Sequence, residues 1–516
     1  MLFMKDTRTH NSIRNSIVAL AMYMVNLVLQ FISRKIFIEY LGEDVLGLNT
    51  TVTSILQFLN IAELGVGTAI SCTLYTPIST GNKREISEIV ALQGYIYRRI
   101  AFFILICSSV VMLFFPVIFA KISLPLWYAY STFAVLLFAN LLTYFVTYRQ
   151  VVLSASQQEY KIQLSYKLWL LVKLIAQIVA IKFFSHGYLW WLSLEVLFAI
   201  IACISVNSSI NKSFPFLGDY VATYEHLQLK YPSVKIKVGQ LFFHKIATFA
   251  LTQLSPIILY AYTSLSMVAK YGNYTLITMG VTSMLSAIFN GLNAGVGNLV
   301  AEGNIKRVLS VFRELFTSRF LIVSSCTICI YFLCNSFISL WVGSEFILDR
   351  YIVLLLCIIF YLNTMRTIVE SYINAYGLFH DIWAPIVEAS LNIGLSILLG
   401  HFWGLYVILL GVIVSLVAIV FVWKPILLFK EGFQHSIKFY IKLYLKHILV
   451  FCIGIIAIRY IVVLFDLSHC ASFGQFVLHS IVLLALSVLL IGGSLYFVEI
   501  GMRNFVHRLS RIIFKK

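Results

Sequence analysis

FWGLYVILLGVIVSLVAIVFVW, residues 402–423, runs for 22 positions without one charged side chain. A helix needs about 20 apolar residues to cross the hydrocarbon core of a bilayer. This run is that long, and soluble chains rarely carry one. The run 383–400 precedes it closely, so the two read as a tight hairpin. Moving outward, the pattern predicts further spans near 14–40, 46–74, 99–120, 126–148, 163–184, 187–207, 237–262, 271–299, 317–342, 350–374, 447–466 and 475–500. The chain of 516 residues is therefore expected to be an all-α membrane protein with about 14 transmembrane helices. Its 60% hydrophobic and 11% charged residues agree, because a soluble globular chain carries roughly 25% charged residues. The first run follows Lys5, Arg8 and Arg14 and is too long and polar for a cleaved leader, so it reads as a retained helix.

The formal net charge is +17. With the N-terminus inside, 28 of the 38 Lys and Arg fall at cytoplasmic ends, Arg313, Arg319 and the tail residues Arg503, Arg508 and Arg511 among them. About four (Lys121, Lys182, Lys270 and Arg350) fall outside. This positive-inside bias places both termini in the cytoplasm and explains the charge without nucleic acid. Cys326, Cys329 and Cys334 lie in an apolar run with no His or carboxylate beside them, so they read as packing residues.

The chain also reads twice. A shift of 222 positions lays Gly81-Asn82 on Gly303-Asn304 and Gly47 on Ala269. Each copy holds six spans, so both face the same way, as in parallel repeats related by an axis along the membrane normal. The expected organisation is a first bundle over 1–207, a cytoplasmic linker over 208–235, a second bundle over 236–425, and two added helices with a basic tail over 426–516. Pro215, Gly218 and Pro232 suit the linker.

Polar residues recur on helical spacing inside these runs. Asn26, Gln30 and Arg34 stand at i, i+4, i+8 on the first. Gln57, Asn60 and Glu63 share a face of the second. Gln240, His244 and Lys245 mark the seventh, and Thr282 and Asn290 the eighth. Such stripes serve either as hydrogen-bonding glue between helices or as the lining of a wet cavity. Charges are more telling, because one at the bilayer centre costs about 3 kcal/mol or more unless water, a partner or a ligand receives it. Arg366 and Glu370, at i, i+4, can neutralise each other. Arg34 can alternatively reach the outer interface. Lys173 and Lys245 have no close sequence partner and are candidate ligand contacts. The excess of cations suits a phosphate or pyrophosphate, and the amides and hydroxyls suit a sugar. Glu63 and Glu370 are candidates for binding a coupling H+ or Na+; Glu63 is equally suited to pairing with a cation.

No GxxxxGK[ST] phosphate loop occurs, and no metal spacing or nucleophilic triad stands out. The outer loops are short, which argues against a membrane-bound polysaccharide polymerase.

Arg34 with Tyr40-Leu41-Gly42-Glu43, Ala62-Glu63-Leu64-Gly65-Val66-Gly67, Leu74-Tyr75-Thr76-Pro77, and Asn374-Ala375-Tyr376-Gly377 before Glu388 resemble the polysaccharide branch of the multidrug/oligosaccharidyl-lipid/polysaccharide (MOP) superfamily, the Wzx-type flippases. The resemblance covers nearly the whole chain. It implies two pseudo-symmetric six-helix bundles in a V, as in drug exporters of the fold, and alternating access to a central cationic cavity. It implies an undecaprenyl-pyrophosphate-linked oligosaccharide as cargo for O-antigen, capsule or exopolysaccharide, a bacterial cytoplasmic membrane, and work beside a polymerase and chain-length machinery. No tightly bound cofactor is implied. The drug-exporting branch is the alternative; its first helix usually carries an acid, whereas here none precedes Glu39 within the first span.

Overall fold

A computed structural model describes residues 2–63, 65–120, 124–156, 158–218, 223–232, 234, 238–239, 256–378, 380–381 and 383–514. Among them helices carry nearly everything and no strand occurs. This is the expected all-α membrane architecture. With no water in hydrocarbon, each backbone polar group must be paired within its own helix.

Among the described residues, ten helices are long and apolar enough to cross a membrane: Val18–Leu41, Lys83–Leu113, Trp127–Phe145, Glu159–Phe183, Gly187–Ser213, Ile305–Trp341, Arg350–Tyr376, Leu405–Gly432, Lys438–Leu464 and Phe473–Val498. Each covers one of the expected runs. The run 383–400 is the shorter apolar helix Trp383–Leu398, and 271–299 lies within the continuous helix Leu265–Ala301. Most of 237–262 lies outside the described residues.

The run 46–74 needs correction. It is not one helix: Glu43–Leu59 ends, Asn60–Glu63 tightens into a 3-10 turn, and a new helix starts at Val66. Gly65 sits at φ 93°, in the left-handed region that glycine enters at little cost. Gln57, Asn60 and Glu63 keep a helical spacing across this break, so the sequence pattern conceals it.

Contacts divide the chain into two compact units, Met1–Ala269 and Lys270–Lys516. Within the first, Phe37, Val45, Leu46, Ile181, Tyr188, Trp191, Leu192 and Ala269 form one buried cluster. Gly47 lies so close to the Leu265 backbone that a Cβ there would stand 2.1 Å from its carbonyl oxygen. Phe102, Phe103, Ile106 and Val110 are exposed along Lys83–Leu113, as suits a face turned to lipid.

The repeat is visible at helix starts. Gly81 and Gly303 both have φ 71°. Directly after them Asn82 accepts a hydrogen bond from the Glu85 amide, and Asn304 from the Arg307 amide. Each caps a helix of more than 30 residues and satisfies an amide that would otherwise lack a partner.

In the second unit, Phe312, Phe316 and Phe320 on Ile305–Trp341 pack with Tyr372, Phe433, Tyr440 and the ring of His447. The short helix Ile500–Phe514 docks on the same helix through ions. Arg313 pairs with the buried Glu499, and Arg508 reaches the buried Glu314 at 3.0 Å.

Candidate functional site

The broken second span places the site. Where the helix stops, Asn60 and Glu63 meet groups from two neighbouring helices. Glu63 accepts hydrogen bonds from the hydroxyls of Tyr97, on Lys83–Leu113, and Tyr144, on Trp127–Phe145, both at 2.8 Å. The Asn60 side-chain oxygen accepts from Asn140 at 2.7 Å and from Tyr144 at 3.1 Å. Tyr97 and Tyr144 are buried and stack edge to face, with ring centroids 5.5 Å apart. Hydrogen bonds to an ionised group count for more than neutral ones, so two phenols and a carboxylate make a firm knot.

This knot forms the wall of a cavity of about 780 Å³ contained within the first unit. Gln57, Asn60, Glu63, Gln93, Tyr97, Tyr148, Gln150, Glu159, Tyr166 and Lys167 line it. Gln93 is 1% exposed, and its side-chain oxygen has no hydrogen-bond partner among the described residues. Among the described residues, Glu63, Glu159 and Lys167 are the charged members of the lining. Carboxylates thus outnumber ammonium groups by one, in a wall otherwise made of amides, phenols and hydroxyls. Such a surface can hydrogen-bond hydroxyl-rich or cationic groups; it is not a phosphate cradle.

Of the described residues singled out from sequence, Gln57, Asn60 and Glu63 line this cavity. Asn26 and Gln30 are partly exposed on the first helix. Arg34 donates to the Ala269 carbonyl at 3.0 Å. Lys173 requires correction as a cation without a partner: it pairs with Glu195 at 2.5 Å across the hairpin, and Gln177 donates to the same carboxylate at 3.0 Å. Thr282 returns its hydroxyl to the Thr278 carbonyl. Lys245 and the side chain of Asn290 lie outside the described residues. Arg366 pairs with Glu370 at 2.8 Å and with the buried Glu388 at 3.3 Å, which makes a three-membered cluster in the second unit.

Tyr97, Tyr144, Gln93 and Asn140 were not singled out, because isolated phenols and amides in apolar runs look like packing. Arg319, counted from sequence with the charges at cytoplasmic ends, is packed inside the second unit. It is 4% exposed, lies 4.1 Å from the centre of the Phe289 ring, and donates to the Thr367 hydroxyl. The 222-residue shift supplies a signal for both: it lays Arg319 on Tyr97, so the two copies carry chemistry at one helical position.

Solved structures share this fold. The lipid II flippase MurJ, in an inward closed conformation, matches with a TM-score of 0.65 at 13% identity, over 96% of this chain and 100% of that one. A multidrug resistance MATE family transporter of the MOP superfamily, facing inward, matches with a TM-score of 0.62 at 13% identity, over 80% and 97% of the two chains. An outward-facing MATE transporter gives 0.53 at 14% identity, over 81% and 95%. No family model matches the sequence, and no curated protein does. The chain has the fold of the MOP-superfamily transporters. Within that fold, its match to MurJ spans nearly all of both chains.

Proposed function

We propose that this chain flips polyprenyl-pyrophosphate-linked oligosaccharide repeat units from the cytoplasmic to the outer leaflet, by alternating access, for the assembly of a surface polysaccharide. The observation that carries the reading is the polar cavity around Glu63 inside an otherwise apolar, lipid-facing unit. A cavity of this size suits a saccharide headgroup, because bound small molecules generally occupy about 300–1,000 Å³. The lipid tail stays in the bilayer throughout. Two helices, Lys438–Leu464 and Phe473–Val498, extend the chain past the paired sixes, and a flippase fold matches over them in length.

Glu63 is the leading candidate for the coupling ion. It lines the cavity and accepts two phenol hydrogen bonds, which a bound H+ or Na+ would rearrange. Glu370, held by Arg366 and 34% exposed, is the second candidate. On the charge bias both termini lie inside; on the resemblance to the Wzx-type flippases the membrane is a bacterial cytoplasmic one, shared with a polymerase and chain-length machinery. Undecaprenyl pyrophosphate is the carrier lipid in this reading, and its phosphates fall to basic residues such as Arg34 and Lys245.

One observation favours a second reading, an ion-coupled exporter of organic cations: carboxylates outnumber ammonium groups in the cavity. Deletion of the protein followed by lipid extraction separates them. A flippase mutant accumulates complete lipid-linked repeat units on the cytoplasmic side. A drug-exporter mutant leaves those lipids untouched and loses toxin tolerance, and that result would overturn the proposal.

A further inference from the structure

We infer that the cavity of the first unit selects the sugar: it takes uncharged or amino-bearing residues and turns away uronic acids. The inference rests on the saccharide reading above and goes beyond it by naming the class of sugar.

Three independent features carry it. The first is hydrogen-bond chemistry. Gln57, Asn60, Gln93 and Gln150 each present an amide, which can both donate and accept, as a sugar hydroxyl does. The buried oxygen of Gln93 is an acceptor with no partner among the described residues. A guest that donates protons to the amide oxygens of this lining is therefore favoured. A hydroxyl, an acetamido N–H or an ammonium can do so; an ionised carboxylate cannot.

The second feature is charge. Glu63 and Glu159 face one Lys167 in the lining. Glu63 already has two donors. A uronic acid would bring a further negative charge to a wall where negative charge is already in excess, within a medium that screens poorly.

The third is the aromatic content. Tyr75, Tyr97, Tyr148 and Tyr166 line the same cavity. Phenol rings offer an apolar body and a polar tip, which matches a pyranose with its C–H face and hydroxyl rim. Aromatic walls with a carboxylate can also hold an organic cation, but four amides in such a wall favour a polyhydroxylated guest.

The test uses the full-length protein in lipid nanodiscs and isothermal titration with three probes. N,N′-diacetylchitobiose is the neutral disaccharide, the hyaluronan disaccharide carries a uronic acid, and ethidium is the organic cation. The neutral sugar should bind at least about tenfold more tightly than the acidic one, a difference typical of one well-placed interaction. Glu159→Gln should shrink that gap to about threefold or less. Gln93→Leu should weaken the neutral sugar about tenfold. Gln57→Leu, on an exposed position, repeats the test without touching the buried wall. Equal or stronger binding of the acidic sugar overturns the inference. So does binding of neither sugar, or binding of ethidium alone. Accumulation of lipid-linked repeat units on deletion, with no sugar selectivity in the titration, leaves the flippase reading standing and removes this one. Sugar selectivity without that accumulation does the reverse.

Discussion

Two carboxylates in the first unit show how differently a buried acid can be used. Glu195 is neutralised by Lys173 and bridged by Gln177, so it has what it needs. Removing one member of such a pair strands a charge, whereas replacing both with apolar groups does not. Lys173→Met should therefore cost about 3–5 kcal/mol. The double variant Lys173→Met, Glu195→Leu should recover most of that, as read from thermal unfolding in detergent with both variants at equal expression. Additive losses would mean that the pair does more than neutralise itself. Glu63 has phenols in place of a cation and opens on the cavity. Glu63→Leu removes the acceptor of the buried Tyr97 hydroxyl and leaves Tyr144 with Asn60 alone, and should cost about 1–3 kcal/mol. Glu63→Gln restores an acceptor and should keep nearly all the stability. Polysaccharide export should nevertheless fall sharply in the Gln variant, because an amide cannot exchange an ion. Wild-type export by Glu63→Gln would remove the coupling role.

At the level of helices, the start signals carry more than their size suggests. Asn82 and Asn304 hold the first turns of Lys83–Leu113 and Ile305–Trp341 by the same bond. Asn82→Ala and Asn304→Ala should each cost about 1 kcal/mol, and the double variant should lose the sum. A chemical denaturation series on the three proteins checks this; a double variant no weaker than either single one would show that the caps do not act independently. These caps were legible beforehand as Gly-Asn pairs 222 residues apart, and most spans were legible from hydropathy alone. The break after Leu59 was not, because Asn60 and Glu63 continue the spacing begun by Gln57 and read as one more turn of a polar helix face. The candidate site was half legible for the same reason. Gln57, Asn60 and Glu63 share one local face, which periodicity can find. Their partners Tyr97, Tyr144 and Asn140 come from other helices, and only the tertiary fold brings them together. Lys173 and Glu195 escaped as a pair because a hairpin turn separates them by 22 positions.

Taken as a whole, each unit is stabilised from within, and the second unit adds its final helix by ionic contacts. Glu499 lies just past the last span, among Arg313, Lys446 and His447. Burial pushes its carboxyl up, but the Arg313 hydrogen bond and the nearby positive charges outweigh burial and hold it below the usual carboxylate range. A group held low in the folded state contributes its stability above the unfolded value, near 4.3, and loses it as pH falls through the lower folded value. The Glu499 anchor at the start of Ile500–Phe514 should thus be intact at neutral pH and weaken below about pH 4. Hydrogen exchange across that helix between pH 7 and pH 3 measures it, with Glu499→Gln expected to show the loosened pattern already at pH 7. Uniform protection across the range would sink this account. The partition at Ala269 also has a temporal side. Every contact that defines the first unit comes from chain already synthesised by that point. The remaining 247 residues take roughly 12–50 s to emerge at about 5–20 residues per second. The nascent first half therefore has ample time to complete its packing in the translocon's lipid surroundings while the ribosome is still decoding the second.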